Sequence, residues 1–208
     1  MTPEHIEKSI DRLFEKIAFL LSKSTEVGRL PIRIGVGIHF GHLMLGTVGE
    51  ERRMDGTVIS DAVNLSARLE GLTKEYGAPV LVSEQVQTLI DGRLPFHTRY
   101  LGSVKVKGKK QSVGIFEVIE GETEDAARLK IVTTANFEEG VRAVQAQKFQ
   151  HALDCIEKVL TVHPEDLAAK LLREQCIKTA RQSSLRRVNL STKRAKITRL
   201  PKPHERTK

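Results

Sequence analysis

The 208-residue sequence contains no tryptophan, and aromatic residues make up only 4% of it. It also lacks any apolar run close to the roughly 20 residues that cross a bilayer. Its first residues are acidic and amphipathic, without the basic flank and apolar block of a signal peptide. We therefore expect a cytoplasmic protein that has no membrane partner.

Cysteine is scarce as well, since Cys155 and Cys176 are the only two in the sequence. They fall in separate predicted helices, and neither belongs to a C-x-x-C pair. This pattern indicates neither a zinc site nor a disulfide framework. We expect two reduced cysteines that pack in a core.

The net charge of +8 is unevenly distributed along the chain. Residues 182–208 contain nine Lys or Arg against one Glu, few apolar residues and two prolines. This composition predicts a basic, disordered tail. Because no aromatic residues are interleaved with the basic ones, we do not expect specific nucleic-acid binding.

The spacing of apolar residues predicts an α+β domain over residues 1–120, with helices packed on a largely antiparallel sheet. A first helix is predicted near the N terminus, over residues 2–20. A second begins at Ser60 or Asp61, ends at Gly77 and turns a leucine stripe toward the core. The later elements are predicted as a strand at 79–82, a helix at 83–90, and strands at 98–107 and 114–119.

Between these two helices the pattern predicts a β-hairpin. Residues 32–39 and 43–48 alternate like two strands, joined by a turn at 40–42. Residues 49–56 are predicted to be a polar connection, and residues 57–59 a short strand fragment.

The first predicted strand holds residues that suggest ligand binding at first sight. His39 ends the strand, but no second His, Asp or Glu accompanies it at ligand spacing, so a structural histidine is expected. Gly35, Gly37 and Gly41 lack the spacing of a phosphate-binding glycine loop. We expect these glycines to permit turns or close packing.

Residues 126–181 are predicted to be helical throughout. Six of them match the spacing of one tetratricopeptide-like repeat, a helical hairpin of about 34 residues: Phe137, Gly140, Ala152, Ile156, Val159 and Pro164. A single hairpin leaves apolar faces uncovered. We expect it to pack on the first domain, on the helix near residues 167–180, or on a partner.

Four blocks in order carry a family resemblance: RIGVGIHFG at 33–41, GTVG at 46–49, DAVNLSARLE at 61–70 and VKGK at 106–109. Their order and spacing resemble the C-terminal half of a class III adenylyl or guanylyl cyclase catalytic domain. The resemblance implies a partial ferredoxin-like cyclase domain followed by the helical hairpin. It also implies a reaction that converts ATP, or less favourably GTP, into a cyclic nucleotide and pyrophosphate.

The predicted second helix carries the two candidate catalytic residues. Asn64 and Arg68 are four residues apart, so both project from one edge of the helix. The resemblance implies that Asn64 orients the ribose and that Arg68 stabilises the α-phosphate in the transition state. It also implies that Lys107, in a Lys-Gly-Lys-Lys turn, binds the triphosphate, and that Thr57 reads the purine edge, which favours ATP.

The family binds Mg or Mn through two aspartates, one in an F-x-D-I-x-G strand and one in a G-D turn. Neither block occurs in this sequence, so no metal ligands are identified in it. Three interpretations stay open: a piece of a longer cyclase, a degenerate remnant, or a chain completed by a homodimer or hetero-partner that supplies the metal-binding half. We expect the isolated chain to be inactive, and the alternative function is a non-catalytic protein-interaction module.

Overall fold

The computed structural model describes residues 34–42, 44–50, 53–90, 96–105 and 112–197, with the backbone alone at 44–50, 53–59 and 183–197. Five positions nearer the N terminus are also described, and all are helical: Lys8, Arg12, Glu15, Lys16 and Phe19. The rest of the predicted first helix lies outside the described residues.

Strands and helices alternate in the first part of the described chain, and helices alone make up the second part. The first part contains β1 (Val36–Ile38), β2 (Met44–Glu50), β3 (Arg53–Ile59), α1 (Asp61–Tyr76), β4 (Val80–Ser83), α2 (Glu84–Ile90), β5 (Thr98–Lys105) and β6 (Ser112–Val118). After a 3-10 turn at Ile119–Gly121 come α3 (Glu124–Gln145), α4 (Phe149–Val162) and α5 (Leu167–Ile197). The predicted α+β class is confirmed.

Four strands form the main sheet in the order β1-β4-β6-β5. The β1–β4 pair is parallel, and the other two pairs are antiparallel. All four residues of β4 are buried, as expected for a strand covered on both faces. Among the described strands, the short strand β1 is at one edge of this sheet, beside the most buried strand.

The predicted hairpin is wrong. Residues 36–38 pair with β4 and not with residues 43–48, and β2 forms a separate antiparallel ladder with β3 that runs from Met44 opposite Ile59 to Glu50 opposite Arg53. Most of the predicted polar connection at 49–56 thus lies in strands. Glu-Arg between the two strands is not one of the dipeptides that favour tight hairpins, so the local sequence gives no signal for this turn.

Helix α1 begins and ends where predicted, because both ends have strong local signals. The Ser60 hydroxyl accepts the Ala62 amide hydrogen at 2.9 Å, which is the usual role of a serine at a helix N terminus. Gly77 follows the helix with φ of 64°, a conformation that favours glycine. Leu65 and Leu69 are buried beneath the helix, whereas Leu72 is only partly buried.

Helices α3 and α4 form the predicted helical hairpin, and their apolar residues join the core of the sheet. Phe137 and Ile156 are buried in the same cluster as Leu69, Leu81 and Ala169. The hairpin therefore packs both on the first domain and on α5. Its relationship to tetratricopeptide repeats stays a prediction.

Helix α5 continues to Ile197, so its backbone runs well beyond the predicted start of the tail at residue 182. Residues 183–197 are rich in Arg and Lys and contain no proline, a composition that permits a helix. Residues 198–208 lie outside the described residues. No helix in the described part of the chain combines the length and apolar character needed to span a membrane.

The prediction for the cysteines is confirmed, because Cys155 and Cys176 are unpaired and buried. Cys155 lies on α4, and Cys176 lies on α5. Burial, and for Cys155 also the nearby Glu139 carboxylate, raises the pKa of each thiol. Neither side chain is therefore primed as a nucleophile.

Candidate active site

Helix α1 exposes Asn64 and Arg68 on the edge that faces away from the core. The two residues lie one turn apart, as predicted. The helix is fixed from below by Leu65, Leu69 and Thr73, all of which are buried. The pair is thus presented to solvent by a helix that is anchored along its opposite face.

The glycines of the first strand bring α1 into backbone contact with the sheet. A Cβ atom added at Gly37 would lie 2.3 Å from both the Ser66 carbonyl oxygen and the Glu70 amide nitrogen. At Gly35 it would lie 2.0 Å from the Thr73 hydroxyl oxygen. The prediction that these glycines permit close packing is confirmed, and the contact fixes the height of Asn64 and Arg68 above the sheet.

The Arg68 side chain reaches from α1 to the end of β5. Its Nη1 atom donates a hydrogen bond to the Lys105 carbonyl oxygen at 2.5 Å. A guanidinium group has five N–H donors, and this bond uses one of them. Arg68 is therefore directed toward the connection between β5 and β6, where Lys107 is found in the sequence.

The two predicted substrate-binding residues are described less completely. Thr57 lies in β3, where its backbone is opposite Gly46, and its side chain lies outside the described residues. Lys107 lies outside them altogether. The assignments of these two residues stay predictions.

His39 has the structural role predicted for it. Its Nδ1 atom lies 2.8 Å from the hydroxyl oxygen of buried Ser83. These two residues follow Ile38 and Val82, which are opposite one another in the parallel ladder. The hydrogen bond thus ties together the ends of two neighbouring strands.

The described side chains do not fit a divalent cation. Among them, no group of three or more His, Cys, Asp or Glu residues is placed to hold a metal ion. Mg and Mn require several oxygen ligands in a defined geometry.

Comparison with protein-family models shows which family this chain belongs to. Residues 2–118 match the model of the adenylate and guanylate cyclase catalytic domain. That match covers more than half of the chain and contains every predicted site residue. The chain belongs to this cyclase family.

Relatives of this cyclase chain are adenylate cyclases. It is 34% identical over 163 residues to the terminal-differentiation-specific adenylate cyclase of Dictyostelium discoideum, a match that covers 76% of this chain and 8% of the relative. It is 46% identical over 100 residues to an adenylate cyclase of Anabaena cylindrica, covering 46% of this chain and 20% of the relative. The chain thus spans a fifth or less of the length of these two relatives.

The similarity to the Dictyostelium protein extends past the cyclase domain. A match over 76% of the chain cannot end at residue 118, where the family model ends, and must include much of the helical part.

Among solved structures, a bacterial light-regulated adenylyl cyclase is 24% identical, with a TM-score of 0.47, and the match covers 62% of this chain and 39% of that one.

A buried charge network that sequence patterns did not reveal joins the cyclase domain to the helical part. Arg99 on β5 donates to Asp166 at 2.6 Å and to Glu117 at 2.8 Å, and the guanidinium lies 4.1 Å from the centre of the Phe137 ring. Lys130 on α3 donates to Glu117 at 2.5 Å. The only hint in the sequence is an arginine at an inward-facing position of a strand.

The network shifts the pKa values of three of its members. Burial alone would lower the pKa of Arg99, but the Glu117 and Asp166 carboxylates raise it above its ordinary value. Burial alone would raise the pKa of Asp166, but the Arg99 guanidinium and the Ala169 amide hold that pKa below its ordinary value. Burial alone would lower the pKa of Lys130, but the Glu117 and Glu122 carboxylates raise it above its ordinary value. All three groups are therefore charged in the folded protein at neutral pH.

Proposed function

We propose that this chain forms the substrate-facing side of a class III nucleotidyl cyclase active site, and that another polypeptide supplies the metal-binding carboxylates. The observation that carries the proposal is the exposed Asn64 and Arg68 pair on α1. The family membership supports the reaction class. The absence of both of the family's aspartate blocks from this sequence motivates the composite site.

The proposed reaction joins the ribose 3′ oxygen to the α-phosphorus and breaks the bond from that phosphorus to the bridging oxygen of pyrophosphate. Negative charge accumulates on the phosphate oxygens during this displacement. A fixed guanidinium that meets this charge lowers the barrier. Arg68 has this role in the proposal, and the Asn64 amide holds the ribose in position.

ATP is the proposed substrate. The relatives described above are named adenylate cyclases, and we infer from the family resemblance that Thr57 reads the purine edge. We infer that Lys107 contacts the triphosphate, because the end of β5 that leads to it receives the Arg68 side chain. The two buried, unpaired thiols support a reducing compartment such as the cytoplasm.

The partner in this proposal is a polypeptide with the cyclase fold that has the metal-binding aspartates. A second chain of the same sequence would bring the same donor set, so a different polypeptide suits the role better. We also propose that the α3–α4 hairpin derives from a single tetratricopeptide-like unit. Its signature residues Phe137, Ala152 and Ile156 are buried, which is consistent with that origin.

A complementation assay tests the proposed function. The chain is mixed with a class III cyclase catalytic domain that retains its metal-binding aspartates but has its own helix Asn and Arg replaced by Ala. We expect neither protein to convert ATP to cyclic AMP with Mg or Mn, and the mixture to do so. Arg68→Ala in this chain should then lower kcat about 100-fold.

The matched control is Arg128→Ala, because Arg128 is an exposed arginine on α3 that pairs with exposed Glu124. This change should leave turnover intact. If the two proteins associate without forming cyclic AMP, the catalytic proposal is overturned and the alternative of an interaction module is favoured. Equal turnover by the wild-type chain and the Arg68→Ala variant would show that Arg68 is not a catalytic residue.

A further inference from the structure

The N-terminal end of α5 contacts the start of β5. Asp166, the residue just before α5, accepts hydrogen bonds from Arg99 Nη1 at 2.6 Å and from Arg99 Nη2 at 3.3 Å. Its other role is to cap α5, because it also accepts the Ala169 amide hydrogen at 3.1 Å. One carboxylate thus joins a helix terminus to a strand of the sheet.

The same end of α5 also contacts the end of α1. A Cβ atom added at Gly77, the residue after α1, would lie 2.7 Å from Leu167 Cδ1 and 3.0 Å from Leu167 Cβ. Leu167 follows Asp166 directly. Two adjacent residues therefore contact the C-terminal end of α1 and the beginning of β5.

The helical hairpin holds β5 at the next residue as well. The Tyr100 amide donates to Glu138 on α3 at 2.9 Å, and the Tyr100 hydroxyl accepts a hydrogen bond from Gln145 at 3.0 Å. Together with Asp166, these contacts fix the beginning of β5 against the helices.

The far end of β5 provides the hydrogen bond to Arg68. Lys105 is the last residue of β5, and its carbonyl oxygen accepts from Arg68 on α1. Between the two ends, β5 is paired with β6 from Thr98 opposite Val118 to Lys105 opposite Ser112, with a bulge at Leu101 where the register shifts. The pairs on both sides of the bulge connect the two ends of β5 through the same neighbouring strand.

We propose that Asp166 is a positioning residue for Arg68: by holding α1 and β5 at one point, the start of α5 sets the distance that the Arg68–Lys105 hydrogen bond spans. The proposal rests on the catalytic role of Arg68 given above. It makes the helical part a component of the active site, although none of its described residues contacts Asn64 or Arg68 through a hydrogen bond.

A double-mutant cycle in the complementation assay tests the coupling. Asp166→Asn retains an acceptor for the α5 cap and removes the charge that faces Arg99. We expect kcat to fall about tenfold with little change in KM for ATP, because an interaction made in the transition state is lost. In the Arg68→Ala background the same change should have no further effect, since the group it positions is absent.

Glu174→Gln is the matched control, because it converts an exposed carboxylate of the same helix, paired with Lys178, into an amide. It should leave kcat unchanged. Should Asp166→Asn fail to fold, Leu167→Ala tests the α1 contact in its place, because Leu167 is 45% exposed and its truncation leaves the core intact. If the effects of Asp166→Asn and Arg68→Ala multiply, the positioning role is overturned.

Hydrogen exchange separates this proposal from the proposed function. In the chain alone, Asp166→Asn should speed exchange at the backbone amides of residues 103–105 and 112–114 about tenfold more than at the amides of α2. The amides of α2 serve as the internal reference for the global loss of stability. If exchange becomes faster but the wild-type mixture shows no turnover, the catalytic role of Arg68 is overturned while the coupling of Asp166 to the end of β5 is supported. If exchange does not change, that coupling is overturned.

Discussion

Arg99, Glu117 and Asp166 are charged side chains with no measurable exposure or almost none. Removing an ion from water costs several kcal/mol, so such residues persist only when every charge has a partner. Here Arg99 faces two carboxylates, and Lys130 shares one of them. These ion pairs join β5 and β6 of the sheet to α3 and to the start of α5.

The dependence of stability on pH follows from the shifted pKa values. The folded-state pKa of Asp166 is lowered, so its contribution is fully present above the unfolded value of about 3.9 and is lost as pH falls through the folded value. Urea unfolding from pH 7 to pH 2 should show Asp166→Asn less stable than wild type at neutral pH, by about 3 kcal/mol. The difference should shrink toward zero in acid.

Exposed Asp154→Asn provides the control for this titration, because Asp154 bonds to Gln150 within α4. Lys130 behaves in the opposite sense. Its folded-state pKa is raised, so its contribution is present below the unfolded value of about 10.4 and is lost as pH rises through the folded value. A gap between wild type and Asp166→Asn that stays constant down to pH 2 would contradict the role of the carboxylate.

At the scale of elements, the contact of β1 with α1 depends on the absence of a side chain at Gly37. A methyl group there would meet the backbone of α1 at Ser66 and Glu70, which cannot move aside as a side chain can. We expect Gly37→Ala to lower the free energy of unfolding by about 2 kcal/mol, because it forces apart a tightly packed contact. Thermal unfolding followed by circular dichroism measures the loss.

Gly71 is the matched control, since it lies within α1, is exposed, and has open space where its Cβ would be. Alanine is the better helix former, so Gly71→Ala should raise stability by about 1 kcal/mol. Destabilisation by both changes would show that α1 tolerates no added methyl group and that the close contact at Gly37 is not the cause.

Elements with local signals were predictable from the sequence, and pairings over distance were not. Ser60 and Gly77 mark the ends of α1 in the sequence itself, and helical spacing places Asn64 and Arg68 on one edge. The parallel pairing of β1 with β4 joins strands that are far apart along the chain. The sequence of neither strand indicates which strand it pairs with. The Arg68–Lys105 bond is likewise invisible until both elements are placed in space.

For the whole molecule, the apolar core is continuous between sheet and helices. Leu81 of β4, Leu101 of β5, Phe137 of α3 and Ile156 of α4 belong to one buried cluster. A shared core of this kind unfolds as one unit, because neither part can retain its apolar contacts once the other is lost. The predicted boundary between residues 120 and 126 is therefore not a boundary between independent cores.

Two sets of intrinsic probes can measure this cooperativity. Both tyrosines, Tyr76 and Tyr100, lie in the sheet part, and no tryptophan obscures their fluorescence. Both cysteines lie in the helical part and are buried. We expect tyrosine fluorescence and thiol labelling to report the same urea midpoint within about 0.2 M, as a two-state transition requires.

Circular dichroism of the backbone provides the third probe in that experiment. Thiols that become reactive at a clearly lower urea concentration than the tyrosine transition would show that the helices detach first. In that case the helical part would be an independent unit, and the shared core would not govern unfolding.

The separation of Arg99 from Asp166 along the chain, 67 residues, has a consequence for biosynthesis. As the polypeptide leaves the ribosome, β5 emerges well before the carboxylate that neutralises its arginine. Elements with local contacts form early, whereas contacts of high sequence separation form late. The Arg99–Asp166 contact therefore cannot form until translation has passed the start of α5. Until then the nascent sheet is incompletely assembled and accessible to chaperones.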